Sequence, residues 1–260
     1  MKKMRVVNNI YIVLLMFLIS IFGFSNNLFA KQDKTISKVI IGINDGTIVV
    51  YNYAENDYET IDMQLKNNHV PVGLVYSRQC NKLAVNSVAF GDISLSLLNM
   101  ENNNFSLFNE TVSFGALQLL SVHPSRKDED LLILEAGTKP WHLVKEEEVE
   151  DFQKDIKFYV FDFCNNTILS GFNNHERDFL PGNLKHQMFF KKHEKIVNKM
   201  MENGLLQSKE DALNVFNGFV IYKSGSKVSI IEYAEGKFQK PKVLNYTITN
   251  EITTVILTFE

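Results

Sequence analysis

Short runs rich in Val, Ile, Leu, Phe and Tyr, broken by Asn, Asp and Gly, fill most of this chain. This alternation is typical of β-strands joined by tight turns. Between residues 38 and 62 three such runs are separated by Asn44-Asp45-Gly46 and by Glu55-Asn56-Asp57. Because Gly accepts the positive φ that a tight turn needs, Asp-Gly between two apolar runs predicts a hairpin. We therefore predict three antiparallel strands over residues 38–62.

The same cycle recurs about every 40 residues, with a fourth strand added. Four runs are predicted in residues 72–108, and four more in residues 116–172. A less regular set follows in residues 219–246. Four-strand units at this period are typical of propeller blades, although a β-sandwich also has short strands at similar spacing. The pattern favours an all-β, small β-propeller-like domain of about four blades.

The first unit is one strand short, and the last apolar run has no unit of its own. We therefore predict that Ile252–Phe259 pairs with the strand Lys38–Ile43 or its sheet, as in a closed ring whose C-terminal strand covers an open edge. Four blades are few for a ring. The alternative is a truncated remnant of a longer propeller.

The third unit resembles a WD-repeat blade in LLSVHPSRKDEDLLILEAG and IKFYVFDFCNNTILSGF. Phe161-Asp162 takes the place of the Trp-Asp pair that ends the third strand of such blades. The segment KVIIGINDGTIVVYN is similar to repeats of YVTN-type bacterial propellers. The resemblance implies a propeller fold. Since the chain has neither the Gly-His dipeptide nor a true Trp-Asp pair, the family's hydrogen-bond network is not carried over.

Two insertions interrupt the strand pattern. The first, Thr138–Asp155, holds the only Trp (Trp141), next to His142, and six acids among residues 146–155. It is either a solvated loop with a short helix or a binding loop on a rigid scaffold. The second, Lys191–Phe216, is predicted to be helical and to pack on its own sheet, with partner docking as the alternative.

The helical prediction for the second insertion rests on spacing and on end signals. Ile196, Val197, Met200 and Met201 form one apolar face, and Gly204 ends the first helix. Ser208 through Asp211 resembles a capping start for a second helix, which would contain residues 212–216.

The N-terminus carries the three parts of a secretory signal peptide. Lys2, Lys3 and Arg5 precede an apolar run over residues 10–24, and a polar stretch then ends at Ala30. We predict cleavage between Ala30 and Lys31, with a cut after Ser25 as the second choice. The apolar run of 15 residues is shorter than the roughly 20 of a spanning helix, which favours cleavage over a membrane anchor.

Composition limits the partners of the mature segment, residues 31–260. The chain has 27 basic and 30 acidic residues, and removal of the leader changes the net charge from −3 to −6. A mildly acidic protein has no electrostatic footprint for nucleic acid or for an anionic membrane. The membrane is therefore expected to be a partner only transiently, through the signal segment. The predicted location is exported, periplasmic or secreted, in a bacterium.

Two cysteines, Cys80 and Cys164, lie 84 residues apart. In an oxidising compartment they could form one disulfide. The interpretation that we favour from the sequence is two unrelated thiols, one in a turn and one at a strand end. No CxxC or Cys/His cluster indicates a structural zinc site.

The sequence shows no catalytic constellation and predicts no cofactor, and the six histidines have no metal-ligand spacing. The polar residues most suited to binding are Trp141, His142, His175 and Arg177, all in predicted loops. We therefore expect a scaffold that binds a protein or a peptide. The alternative is a propeller enzyme of the lactonase or quinoprotein type with a metal or cofactor at its axis.

Overall fold

The computed structural model describes residues 35–63, 65, 68–90, 92–107, 117–124, 130–140, 143–173 and 183–260. The predicted signal peptide, residues 1–30, lies outside this set. The described residues of Ile36–Thr258 form one compact main unit. Next to it in the chain, Glu260 N donates to Thr35 O at 3.0 Å. Among the described residues, no helix is long and apolar enough to cross a membrane.

The described residues are mostly strand. The first two groups of strands are β1 (Ile36–Ile43), β2 (Thr47–Asn52), β3 (Asp57–Asp62), β4 (Val70–Ser77), β5 (Lys82–Ala89), β6 (Asp92–Asn99) and β7 (Phe105–Leu107). The next are β8 (Gln118–Pro124), β9 (Leu131–Gly137), β10 (Lys157–Asp162) and β11 (Thr167–Asn173). The last are β12 (Ala212–Phe216), β13 (Phe219–Ser224), β14 (Lys227–Ala234), β15 (Lys237–Phe238), β16 (Lys242–Thr247) and β17 (Ile252–Phe259).

These strands form four antiparallel sheets, in which most neighbours are also consecutive in the chain. The first sheet has the order β17-β1-β2-β3, the second β4-β5-β6-β7 and the third β11-β10-β9-β8. The fourth has the order β12-β13-β14-β15, with β16 also paired to β14. The prediction that the chain is built mainly of antiparallel β-sheet is confirmed.

The predicted pairing of the C-terminal strand with the first sheet is also confirmed, since β17 lies beside β1. Lys38 N donates to Thr258 Oγ1 at 3.0 Å, and Thr253 Oγ1 donates to Gly42 O at 3.1 Å. Partners that move up one strand and down the other mark an antiparallel pair. The first unit has only three consecutive strands, and β17, from the other end of the main unit, is its fourth.

The second sheet is buried on both faces, and its side chains alternate between two cores. Leu83 and Val85 of β5 pack with Ile40 and Val50 of the first sheet. Ala84, between them, packs with Leu134 of the third sheet. This alternation is the period of two of a strand, and it explains why β5 has apolar residues in succession.

The outer faces of the third and fourth sheets are covered by helices. Helix α1 (Val149–Asp155) follows a 3-10 turn at Glu146–Glu148, and its Phe152 packs with Leu120 and Phe158 of the third sheet. Helix α2 (Asn183–Glu202) packs Ile196 and Met200 against β12, β13 and β14. In the part of the chain described here the sheets are therefore not closed into a ring.

The fourth sheet contacts the first by polar and aromatic groups. Asn214 Nδ2 donates to Val255 O at 2.6 Å, and Asn245 N donates to the Tyr51 hydroxyl at 3.1 Å. The rings of Tyr58 and Tyr246 meet edge to face, with their centroids 5.3 Å apart. The order of neighbours is therefore α2, fourth sheet, first sheet, second sheet, third sheet, α1.

The predicted second helix of the 191–216 insertion is wrong. Ser208 N does donate to Asp211 Oδ2 at 3.0 Å, but the turn covers only Lys209–Asp211, and the chain then becomes β12. The signal that the sequence offered is Asn217-Gly218, whose φ values of 51° and 88° make the tight turn between β12 and β13. Pairing with β13 and burial of Val215 override the local helix signal. The first helix is also longer than predicted, since it begins at Asn183.

The interpretation of Cys80 and Cys164 as unrelated thiols is also wrong, because the structure joins them in a disulfide with Cα atoms 5.6 Å apart. Cys80 lies in the turn before β5, and Cys164 lies in the turn after β10, so the bridge connects the second sheet to the third. Sequence spacing could not show this, since two residues 84 positions apart meet only after the sheets pack.

Reduction of this bridge should lower the free energy of unfolding by about 2–4 kcal/mol, because the closed loop is long. Urea denaturation with and without dithiothreitol measures the difference. The double variant Cys80→Ser/Cys164→Ser is the control and should give one curve in both conditions. Equal curves for the oxidised and reduced wild type would contradict the stabilising role.

Phe152→Ala should cost about 3–5 kcal/mol of unfolding free energy, because the ring fills the core between α1 and the third sheet. The fit is close: a Cβ on Gly137 would come within 2.9 Å of Phe152 Cζ. Leu143→Ala, in the same insertion but 58% exposed, is the matched control and should change stability by less than about 0.5 kcal/mol. Equal effects of the two variants would show that the insertion is a solvated loop and not a cover.

Candidate interaction surface

The binding residues predicted from the sequence, Trp141, His142, His175 and Arg177, lie outside the described residues, as do Ala30 and Lys31. Their roles stay predictions. The structure instead shows exposed apolar side chains that the sequence analysis did not select as binding residues.

The disulfide joins the β4–β5 turn of the second sheet to the β10–β11 turn of the third. These two turns therefore lie at the same end of the stacked sheets. Lys82, at the start of β5, donates from Nζ to Cys164 O at 2.6 Å. The opposite ends of these sheets carry the β5–β6 turn and the insertion between β9 and β10. In the first sheet, a Cβ on Gly42 would lie 3.0 Å from Pro71 Cβ, which places the β1–β2 turn at the same side. We call the side opposite the bridge the distal surface.

Phe90 is the most exposed large apolar side chain of the described residues, at 91%. It stands in the turn that joins β5 to β6, with φ +49°, in the left-handed region. A bulky residue seldom adopts that conformation, because its Cβ is crowded by the backbone. The sequence Ala89-Phe90-Gly91-Asp92 indicates a turn, but it does not show that the phenyl ring lies in solvent.

Two further apolar side chains are exposed at or near the distal surface. Val72, 44% exposed, is the extra residue of a bulge in β4, between Pro71 and Gly73. Leu143, 58% exposed, belongs to the insertion before α1. A bulge re-aims a side chain that the strand period would otherwise bury.

The β1–β2 turn is tied to the connection between the fourth sheet and the first by Asp45. Its carboxylate accepts from Thr47 N at 3.0 Å and from Asn250 Nδ2 at 2.6 Å. Partial burial raises the pKa of Asp45, but the hydrogen bonds from Thr47 and Asn250 outweigh it and hold the pKa below the ordinary value. Asn44 N also donates to Glu251 O at 3.0 Å. The β1–β2 turn is thus hydrogen-bonded to Asn250 and Glu251, which directly precede β17.

A polar cluster on the third sheet has catalytic residue types but not catalytic geometry. Ser121 Oγ lies 2.6 Å from Glu135 Oε2 and 2.8 Å from His123 Nε2. The carboxylate is 3.9 Å from that same Nε2. In a nucleophile-activating triad the carboxylate instead holds Nδ1 and leaves Nε2 for the hydroxyl. The Ser121 hydroxyl here serves as a donor to the buried Glu135 carboxylate.

The described residues contain no group of three or more His, Cys, Asp or Glu side chains that could hold a metal ion. The Phe161-Asp162 pair, on which the blade resemblance partly depends, has two separate roles. Phe161 is buried between the second and third sheets. Asp162 accepts from Asn165 N at 2.9 Å and Nδ2 at 2.8 Å, within its own turn.

No protein-family model and no curated protein matches this sequence. Among solved structures, an acylaminoacyl peptidase of Pyrococcus horikoshii superposes with a TM-score of 0.32 at 10% identity, over 77% of this chain and 28% of that one. The β-propeller domain of the Trilobed protease from Pyrococcus furiosus, described as having an open velcro topology, superposes at 0.30 with 12% identity, over 78% and 49%. The chain thus spans less than half of each of these structures. At these TM-scores the similarities carry no conclusion about this chain.

Stability should fall at low pH partly through Asp45. A carboxylate with a lowered pKa in the folded state stabilises above its unfolded pKa, about 3.9. That contribution is lost as the pH falls through the still lower folded pKa. Thermal unfolding of the wild type and Asp45→Asn from pH 6 to pH 2 should therefore converge at the acid end. Asn250→Ala removes one donor and should show part of the same effect. Parallel curves for the wild type and Asp45→Asn would contradict this assignment.

Proposed function

We propose that this chain is an exported bacterial scaffold, with four blade-like sheets, that binds another protein or a peptide through its distal surface. The observation that carries the binding role is the exposure of apolar side chains at or near that surface, with Phe90 as the extreme case. Aromatic side chains held on turns of a rigid scaffold are common anchors of protein interfaces.

Two features support export. The N-terminal segment has the basic, apolar and small-residue parts of a signal peptide, and a disulfide joins the second and third sheets. Structural disulfides persist in oxidising compartments and are rare in the bacterial cytosol. A periplasmic or secreted location fits both.

The helices support the scaffold role. Each packs on the outer face of a terminal sheet, as the capping units of repeat proteins do. The insertions that contain α1 and α2 thereby act as covers, since Phe152, Ile196 and Met200 pack in the core.

Expression of the full chain in a bacterial host tests the proposal. We expect the protein outside the cytoplasm, beginning at Lys31 or, with the second cleavage choice, at Asn26, and without free thiols after denaturation. Lysine-directed cross-linking in intact cells should give a discrete heavier species that contains this chain.

Retention of Met1 with two free thiols in the cytoplasm would contradict export. Retention of Met1 in the membrane fraction would instead show an anchor. Absence of any cross-linked species, in a sample where the monomer is folded, would contradict the binding role.

A further inference from the structure

Left-handed backbone positions in this protein are filled almost entirely by residues that tolerate them. Among the described residues eight non-glycine positions have positive φ, and six of these are Asn. Asn adopts this conformation readily, because its short polar side chain bonds to the nearby backbone. The two exceptions are Glu235 and Phe90.

Phe90 is the exception for which the fold offers no compensation. Glu235 is a charged residue in an exposed turn, so its side chain is hydrated. Phe90 is aromatic, carries a Cβ in a conformation that disfavours it, and leaves 91% of its surface in water. It therefore adds neither a favourable turn nor a buried ring to the folded state. A strained, exposed residue that contributes nothing to stability points to a role outside the fold.

The surroundings of Phe90 indicate what the ring meets. Val72, also exposed, lies on β4, whose Val70 pairs with Val88 two residues before Phe90. Asp92 follows the turn and is exposed, and Asp45 is exposed in the neighbouring turn of the first sheet. Carboxylates at this position disfavour an anionic lipid surface. A single projecting aromatic ring instead fits the apolar pocket of a folded protein.

We infer that Phe90 is the anchor by which this protein inserts into an apolar pocket of a protein partner, with Val72 as a secondary contact. This inference rests on the proposed binding function and names the residue and the partner chemistry for it. The backbone strain at Phe90 is then the cost of presenting the ring in the connection between β5 and β6.

The variant Phe90→Asn separates this role from a structural one. Asn fits the left-handed turn, so the melting temperature should rise by about 2–4 °C. Val243→Asn is the matched control, because Val243 is 54% exposed on β16 but has no left-handed backbone. A lower melting temperature for Phe90→Asn would show that the ring serves the fold and would overturn the inference.

Photo-cross-linking tests the contact itself. Benzoylphenylalanine is placed at position 90 or, as the control, at position 243 of the full exported chain, and cells are irradiated. We expect one discrete adduct from position 90 only. The protein in that adduct is then purified, and its affinity for the wild type should exceed that for Phe90→Asn by about tenfold or more.

The outcomes distinguish this inference from the proposed function. Lysine cross-linking that still captures a partner, with equal affinity for the wild type and Phe90→Asn, would overturn the anchor and leave the scaffold role standing. Co-sedimentation with vesicles of phosphatidylethanolamine and phosphatidylglycerol, lost in Phe90→Asn, would replace the protein pocket by a membrane. Absence of any adduct at position 90 would also overturn the anchor.

Discussion

Each sheet of this protein has two apolar faces, and each face needs a cover. For the second sheet the first and third sheets supply both covers, and Leu83 and Ala84, adjacent in sequence, point to different cores. The requirement becomes harder to meet at the two ends of the array, where no further sheet follows. There α1 covers the third sheet through Phe152, and α2 covers the fourth through Met200. Helical insertions thus replace the neighbour that a closed ring would have provided.

Two long-range links hold the ends of this array in place. The strand β17 returns to pair with β1, so that the first sheet is built from both ends of the main unit. The disulfide between Cys80 and Cys164 fastens the third sheet to the second at one end. Each link joins a terminal sheet to its inner neighbour: β17 continues the chain from the fourth sheet into the first, and the disulfide joins the third sheet to the second. At the opposite end of the second sheet, Phe90 and Val72 are exposed to solvent.

Much of the strand pattern was available from the sequence, since alternation and Asp-Gly or Asn-Gly turns are local signals. The predicted runs at residues 38–62 and 72–108 correspond closely to β1–β3 and β4–β7. The error at residues 212–216 has a local cause as well: the Ser208–Asp211 turn forms, but the next hairpin signal, Asn217-Gly218, determines the structure of the chain between them. The distal surface was predictable from the sequence only in part. Ala89-Phe90-Gly91 indicates a turn, while the exposure of the ring depends on which residues surround that turn.

The sequence by itself determined most of the strands and their grouping into units, because hydrophobic alternation and turn chemistry act over a few residues. The pairing of the final strand followed from the strand that the first unit lacked. It also determined the acidic balance of the mature segment. Only the tertiary structure decided that the cysteines meet, that the first insertion is a cover for the third sheet, and that Phe90 stands exposed in a left-handed turn. Each of these depends on elements far apart in the chain coming together, and no local pattern records which face will be covered by which neighbour.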